Sequence, residues 1–282
     1  MTFDPESYRD WERQAYNHVA ESYESLMQRV TGVFLPAMVD LLELDNLPEG
    51  AALLDVATGP GLIADGLAGK FTGKFRVTGV DFSDNMIAIA RQKAKDKNLP
   101  GLSFQLMDAE KLEFPDATFD RVTCGFGLMH FPHSDRALAE MRRVLKPGGR
   151  AVLSVWAEAQ HVILMKLLLD TVAVFAPQLK EPHGPSMFGF GNLHTLEQAM
   201  LKAGFTGVKI EPVPQAVAFR DVQHYWDTLV QGTGRLGGVV RGLPEETRAE
   251  VFKKAQEAVR PYQKDSRLVL PLQANLAVGI RN

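Results

Sequence analysis

The sequence predicts an α/β fold: a doubly wound, mostly parallel sheet of seven strands, with helices ahead of it and a helical cap inserted before the last strand. Three observations carry this reading. Short apolar runs alternate with helical periodicity from Ala51 to Val155, the pattern of strands whose sheet is covered on both faces. The first run, Ala52 to Val56, stops at a glycine-rich turn from which a helical pattern starts. Asp55, Asp81 and Asp108 stand at the ends of three successive runs, the place where open α/β sheets bind ligands.

In chain order, Asp4-Pro5 reads as a helix cap followed by a first-turn proline. Tyr8, Trp11, Ala15, Val19, Tyr23, Leu26 and Val30 then recur at steps of three or four, which predicts an amphipathic helix with an aromatic stripe. Gly32 and Pro36 interrupt it, a second helix runs to about Leu44, and Pro48-Glu49-Gly50 makes a turn. After Ala52–Val56 the expected strands are Phe75–Val80, Leu102–Met107, Arg121–Cys124 and Arg150–Val155. Between them, Ser83 caps a helix running to about Asn98, and another helix fills Asp135 to Leu145. Gly184 to Gly191 is a loop. Thr195 with Gln198 resembles a capping box, and Gly204 ends that helix. Phe205–Glu211 is the sixth strand, Asp221–Gln231 and Pro244–Val259 are helices, and Leu276–Arg281 is the last strand. The expected organisation is a helical lid over residues 1–50, an α/β core over 51–212, a helical cap over 213–275 and the closing strand of the core over 276–282.

Composition narrows the function. The formal net charge is -3, so no global basic field draws the chain to nucleic acid or to an anionic membrane. The most apolar helical stretch, Val162 to Phe175, carries Lys166 and Asp170 and is too short to span a bilayer. Met1 to Asp10 is polar and acidic, without the basic start and apolar core of a secretion leader. The single cysteine, Cys124, permits no intrachain disulfide, which fits a reducing cytoplasm. The expected partner is a small molecule; monomer and homodimer both stay open.

The run Leu54-Asp55-Val56-Ala57-Thr58-Gly59-Pro60-Gly61 puts a carboxylate at a buried strand end, then a turn that lets backbone approach a ligand. Spacing alone also allows a dinucleotide, because Gly59, Gly61 and Ala64 match G-x-G-x-x-A. Two features weigh against it. Pro60 removes a backbone N–H that a pyrophosphate would use, and Asp55 sets a negative charge beside it. A ligand carrying a sulfonium and an ammonium would be attracted by that charge. Asp81, 20 residues beyond Gly61, can accept from both hydroxyls of a ribose. Asp108 can accept from an adenine amino group while the N–H of Ala109 donates to a ring nitrogen. Each acid alone also fits a helix cap; all three with the glycine turn make a far more specific constellation.

These residues resemble motif I and the later motifs of the class I S-adenosylmethionine methyltransferases, whose core is Rossmann-like. Val80-Asp81-Phe82-Ser83 with Met86, Met107-Asp108-Ala109-Glu110 and Arg143-Val144-Leu145-Lys146-Pro147-Gly148-Gly149 continue the likeness. The flavour is similar to quinone-biosynthesis enzymes and their natural-product relatives, over roughly Leu53 to Val155. The resemblance implies that Asp55, Ala57, Gly59 and Gly61 cradle the methionine part of S-adenosylmethionine, and that Asp81 holds the ribose. It implies that Phe82 and Met86 flank the adenine, that Asp108 and Ala109 read its edge, and that Cys124 and Gly125 face the sulfonium side. N-terminal aromatics often close such sites, which makes Trp11, Tyr16 and Tyr23 candidates, since aromatic faces attract a sulfonium.

Methyl transfer needs a base only where the acceptor keeps a proton. His130 and His133 follow the fourth strand at the ligand end of the sheet and are the candidate bases. No metal is expected, because Pro132 spoils helical presentation of the two histidines and no Cys or acid clusters there beyond Asp135. His161, His183, His194, His224 and Glu158 are scattered over the acceptor side. Met187, Phe188, Phe190, Tyr225, Trp226 and Leu229 suggest an apolar acceptor of quinol, polyketide, terpenoid or indole type, methylated on carbon or oxygen. The alternative is an enzyme of the same fold that binds the cofactor but catalyses cyclisation or another reaction, since fold does not fix function.

Overall fold

The structure is a computed structural model describing residues 4–175, 184–265 and 267–282; His183 lies outside them. Helix α1 (Pro5–Leu26) starts under the cap of Asp4, whose carboxylate accepts from the N–H groups of Glu6 and Ser7. A π-helical turn (Met27–Thr31) and a short 3-10 turn lead into α2 (Leu35–Leu41). The sheet begins with β1 (Ala52–Val56), buried at all five positions as befits a central parallel strand. Helix α3 (Leu62–Lys70), β2 (Arg76–Asp81), α4 (Asp84–Asp96), β3 (Leu102–Leu106), β4 (Phe119–Gly125), α5 (Ser134–Val144) and β5 (Leu145–Trp156) follow. Ser83 caps α4 by accepting from the N–H of Met86. Beyond β5 come α6 (Ile163–Phe175), α7 (Leu193–Lys202), β6 (Thr206–Phe219), α8 (Val222–Gly232), α9 (Arg235–Gly242), α10 (Glu245–Val259), β7 (Gln263–Lys264) and β8 (Arg267–Ile280).

The strand order is β3-β2-β1-β4-β5-β8-β6, with the two-residue β7 paired to β8 as an eighth strand. β1 to β5 are parallel and β8 is antiparallel to β5. The chain departs from β1 in both directions, so the crevice above the carboxyl ends of β1 and β4 is the topological switch point.

Three sequence expectations are corrected. The sixth strand continues past Glu211 to Phe219, and the last strand starts at Arg267 rather than Leu276. The two ends of the stretch 213–275 are therefore sheet, and its helical middle is α8 to α10, with α9 unforeseen. Pro212, Pro214 and Pro271 fit within these strands because β6 is an edge strand and β8 before Ala274 has no β5 partner. A proline is tolerated where no ladder N–H is needed. The cap of α7 is Asn192, whose side chain accepts from the N–H groups of His194 and Thr195, so Thr195 lies inside the helix and makes no capping box.

Candidate active site

The turn after β1 and the turn after β4 are pressed together above the sheet. A Cβ at Gly127 would come within 2.6 Å of the Ala57 Cβ and 2.9 Å of Cys124 Sγ, so only glycine allows the approach. Gly61 caps α3 at φ 89, where a Cβ would stand 2.9 Å from the Phe104 ring. Ala57 (φ 54) and Phe126 (φ 57) are non-glycine residues in the left-handed region, one at each strand end. Strain of about 1–3 kcal/mol per residue is typical of such positions and clusters at functional sites.

These turns floor a cavity of about 750 Å³. Ala57, Gly59, Asp81, Phe82, Met86, Asp108, Ala109, Gly125, Tyr16, Tyr23 and His130 all line it. Asp81 is buried, and its two oxygens accept from the N–H of Gly59 at 2.8 Å and of Ser83 at 3.0 Å. Burial raises its pKa above the ordinary carboxylate value against these amides. Each oxygen keeps a lone pair for a further donor. Asp108 accepts from the N–H of Glu110 at 2.8 Å and lies 3.3 Å from Arg9 Nε.

Five sequence candidates are placed elsewhere. Asp55 stands beneath the cavity floor at 1% exposure, accepting from the hydroxyls of Thr58 at 2.6 Å and Thr123 at 2.7 Å. It braces the turn from below. Gly61 shapes the start of α3 and does not line the cavity. Cys124 is fully buried below the lining, and burial pushes its thiol up to about 12, which makes it inert. His133 lines neither this cavity nor its neighbour; its N–H donates to Glu110 Oε1 at 2.8 Å at the start of α5. Trp11, 43% exposed, also lines neither.

A second cavity, of about 820 Å³, adjoins the first. Glu12, Tyr16, Tyr23, Phe126 and His130 belong to both linings and form the wall between them. The far side is apolar, with Leu26, Met129, Trp156, Met165, Met187 and Leu229. In the wall, Tyr16 Oη lies 3.1 Å from His130 Nε2, and Glu12 Oε1 lies 3.5 Å from His130 Nδ1 while accepting from the Tyr8 hydroxyl. Tyr16 and Tyr23 meet edge to face at 5.3 Å. Of the other apolar candidates, Tyr225 is buried and donates to the Leu164 carbonyl at 2.8 Å, and Trp226 packs on Phe252. Phe188 and Phe190 pack against the core.

Arg9, Glu12 and Glu110 were missed from the sequence. A signal was present for Glu12: Tyr8, Glu12 and Tyr16 stand four apart and share one helix face.

A family model described as a methyltransferase domain matches residues 53–149. The demethylmenaquinone methyltransferase of Lactococcus lactis is 34% identical over 172 residues, spanning 57% of this chain and 68% of that protein. The chain belongs to the class I S-adenosylmethionine methyltransferases. The ubiquinone/menaquinone biosynthesis C-methyltransferase UbiE of Bordetella avium is 44% identical over 108 residues, 38% of this chain and 42% of the relative. The chain spans about half the length of the UbiE proteins it matches. A Haemonchus contortus phosphoethanolamine N-methyltransferase 2, solved with phosphomonomethylethanolamine and S-adenosylhomocysteine, superposes with a TM-score of 0.62 at 18% identity, covering 97% of this chain and 60% of its own; this likeness concerns the fold.

The site fits the methyltransferase cofactor. The lining brings the Asp81 carboxylate, the backbone turns at Ala57, Gly59 and Gly125, and apolar surfaces from Phe82 and Met86 into one cavity at the switch point. Among the described residues, no group of three or more His, Cys, Asp or Glu is arranged to hold a metal ion, and no helix is long and apolar enough to cross a membrane.

Proposed function

We propose that this chain transfers a methyl group from S-adenosylmethionine to a carbon or oxygen of a small apolar molecule, of quinol, polyketide, terpenoid or indole type. The observation that carries the reading is the pair of cavities with one shared wall: an acid-edged cavity at the switch point and an apolar one beside it. The names of the curated relatives, quinone-biosynthesis C-methyltransferases, support a quinol-type acceptor.

Bound in the first cavity, the cofactor supplies a methyl group on a positively charged sulfur. Asp81 holds the ribose through the lone pairs left by Gly59 and Ser83. Phe82 and Met86 flank the adenine, and Asp108 with the Ala109 amide reads its edge. The turn at Ala57 and Gly59, braced by Asp55, cradles the amino-acid end. Tyr16 and Tyr23 present aromatic surface at the wall, where they exclude water and favour a cation. Positioning of acceptor against donor supplies much of the acceleration in a direct displacement. His130 faces the acceptor cavity and takes the proton of a phenol or enol, oriented by Tyr16 and Glu12. Cys124 pairs with no second cysteine, in keeping with a reducing cytoplasm. No nucleic-acid partner is proposed.

Calorimetric titration with S-adenosylmethionine and S-adenosylhomocysteine, with NAD and NADP as controls, tests the cofactor. Labelled-methyl uptake by a panel of quinols and phenols then tests the transfer. Binding of the adenosyl ligands alone, followed by S-adenosylhomocysteine formation that depends on an apolar acceptor, is the expected result. Nicotinamide binding in their place would overturn the reading.

A further inference from the structure

Away from both cavities of the site, three arginines from three parts of the chain converge. Arg29 comes from the π-helical turn after α1, Arg220 from the junction of β6 and α8, and Arg267 from the start of β8. With His224 of α8, Ala218 and Phe219 they line a cleft of about 680 Å³. The long β6–β8 pairing makes this meeting possible, because Phe219 pairs with Leu268 at its outer end.

The cleft is a concentration of cationic donors without acidic partners. Among the described residues, none of the three arginines has a carboxylate within 4.0 Å. Arg29 Nη1 makes a long bond of 3.4 Å to the Ala218 carbonyl, and its buried Nε has no hydrogen-bond partner. A buried guanidinium N–H without an acceptor is costly, and an oxyanion in the cleft would offset that cost through charge while bonding to the terminal guanidinium nitrogens. His224 Nδ1 accepts from the N–H of Arg220 at 3.3 Å, which leaves Nε2 to donate when the ring is neutral. Burial, then Arg29 and Arg220, hold His224 below its ordinary pKa, against the weaker opposing pull of Asp221 and Asp227. The local field is therefore positive, although the whole chain carries a net charge of -3.

We propose that this cleft is a binding site for a phosphate-type oxyanion, gripped by Arg29, Arg220 and Arg267. Guanidinium groups match the paired oxygens of a phosphate in a way that ammonium groups do not. The source is either a soluble phosphate compound or the head group of an anionic lipid, and both present the same oxygens. The site does not depend on the methyl-transfer reading.

The test compares the intact chain with R220Q/R267Q, which alters two exposed side chains, and with R29Q. Inorganic pyrophosphate is titrated by calorimetry, and co-sedimentation is measured with phosphatidylglycerol vesicles against phosphatidylcholine vesicles. Binding of pyrophosphate, or of phosphatidylglycerol alone between the two lipids, that weakens about tenfold or more in R220Q/R267Q supports the site, and the responding probe identifies the source. S-adenosylhomocysteine affinity unchanged in that variant shows that the fold is intact. Absence of binding to both probes overturns the proposal, and so does binding that R220Q/R267Q and R29Q leave unaltered.

Discussion

Asp55 is a carboxylate that never meets the ligand cavity, and its environment gives it a distinct signature in pH. Burial pushes its carboxyl from 3.8 up to about 6, against the Thr58 and Thr123 hydroxyls that favour the charged form. A carboxyl that holds its proton more tightly when folded contributes most stability at low pH and loses it as pH rises from about 3.8 through about 6. Asp55→Asn keeps an acceptor oxygen and removes this titration. Urea unfolding without ligand is expected to show the variant losing about 2–3 kcal/mol less than the parent between pH values of about 4 and 7. Asp81 acts on the ligand side. Asp81→Ala is expected to weaken S-adenosylmethionine binding by about 1.5–3 kcal/mol, the range for hydrogen bonds to a charged group; equal calorimetric affinity in a folded variant would remove the ribose assignment. The two histidines separate cleanly. His130→Ala should retain cofactor affinity and lose turnover, while His133→Ala, outside both linings, should keep both. Asp81, Asp108 and Gly59 were legible as cavity-lining residues because each falls at a strand end that sequence marks well, whereas Asp55 and Gly61 share that signal yet lie off the lining, since a strand end does not say whether a residue faces the cavity or braces the turn. His130 and His133 were not separable, because a three-residue offset after a strand does not say which side chain turns inward.

Helix α1 shows where reading by periodicity stops. Its stripe was drawn through Trp11, yet the structure buries Glu12 to 3% exposure and leaves Trp11 outside. Steps of three and four fit two neighbouring faces of a helix about equally well. What selects the face is tertiary: Glu12 finds Tyr8 and His130, partners that composition cannot reveal. A buried carboxylate with such partners is tolerated. The junction with α4 was half legible. Ser83 was foreseen as a cap, but its hydroxyl also donates to Asn17 of α1 at 2.5 Å, and Asn85 donates to the Asn17 carbonyl at 3.0 Å. Ser83→Ala therefore removes a cap and a link between helices. It is expected to cost about 1–2 kcal/mol in denaturant unfolding, at the upper part of the range for caps; a cost below a few tenths would mean that the cap and the link are energetically idle.

At the scale of the molecule, the legible part is the core from Ala52 to Trp156, where buried parallel strands must be short, apolar and bounded by turns. The order β3-β2-β1-β4-β5 then puts every predicted strand end on one side of the sheet. The less legible part is the outer β6–β8 ribbon. Along β8, Leu268, Leu270, Leu272 and Ala274 are buried in strict alternation, a period-two signal that Pro271 hides. That ribbon carries α8 to α10 on two long paired strands, and Ser22 of α1 donates to the Gln231 carbonyl of α8 at 2.7 Å.

Helix α1 contributes Glu12, Tyr16 and Tyr23 to the linings of both cavities, and is fastened to the rim by Arg9–Glu110 at 2.6 Å and to α4 by Glu24–Lys93 at 2.8 Å. One helix thus shuts two doors. If the proposed methyl transfer takes place behind this helix, release of the spent donor and of the product would share one opening event, and the prediction is that this opening limits turnover. Steady-state turnover should fall as solvent viscosity rises, and a deuterated methyl donor should leave it unchanged. A full isotope effect with no viscosity dependence would place the slow step in the chemistry instead.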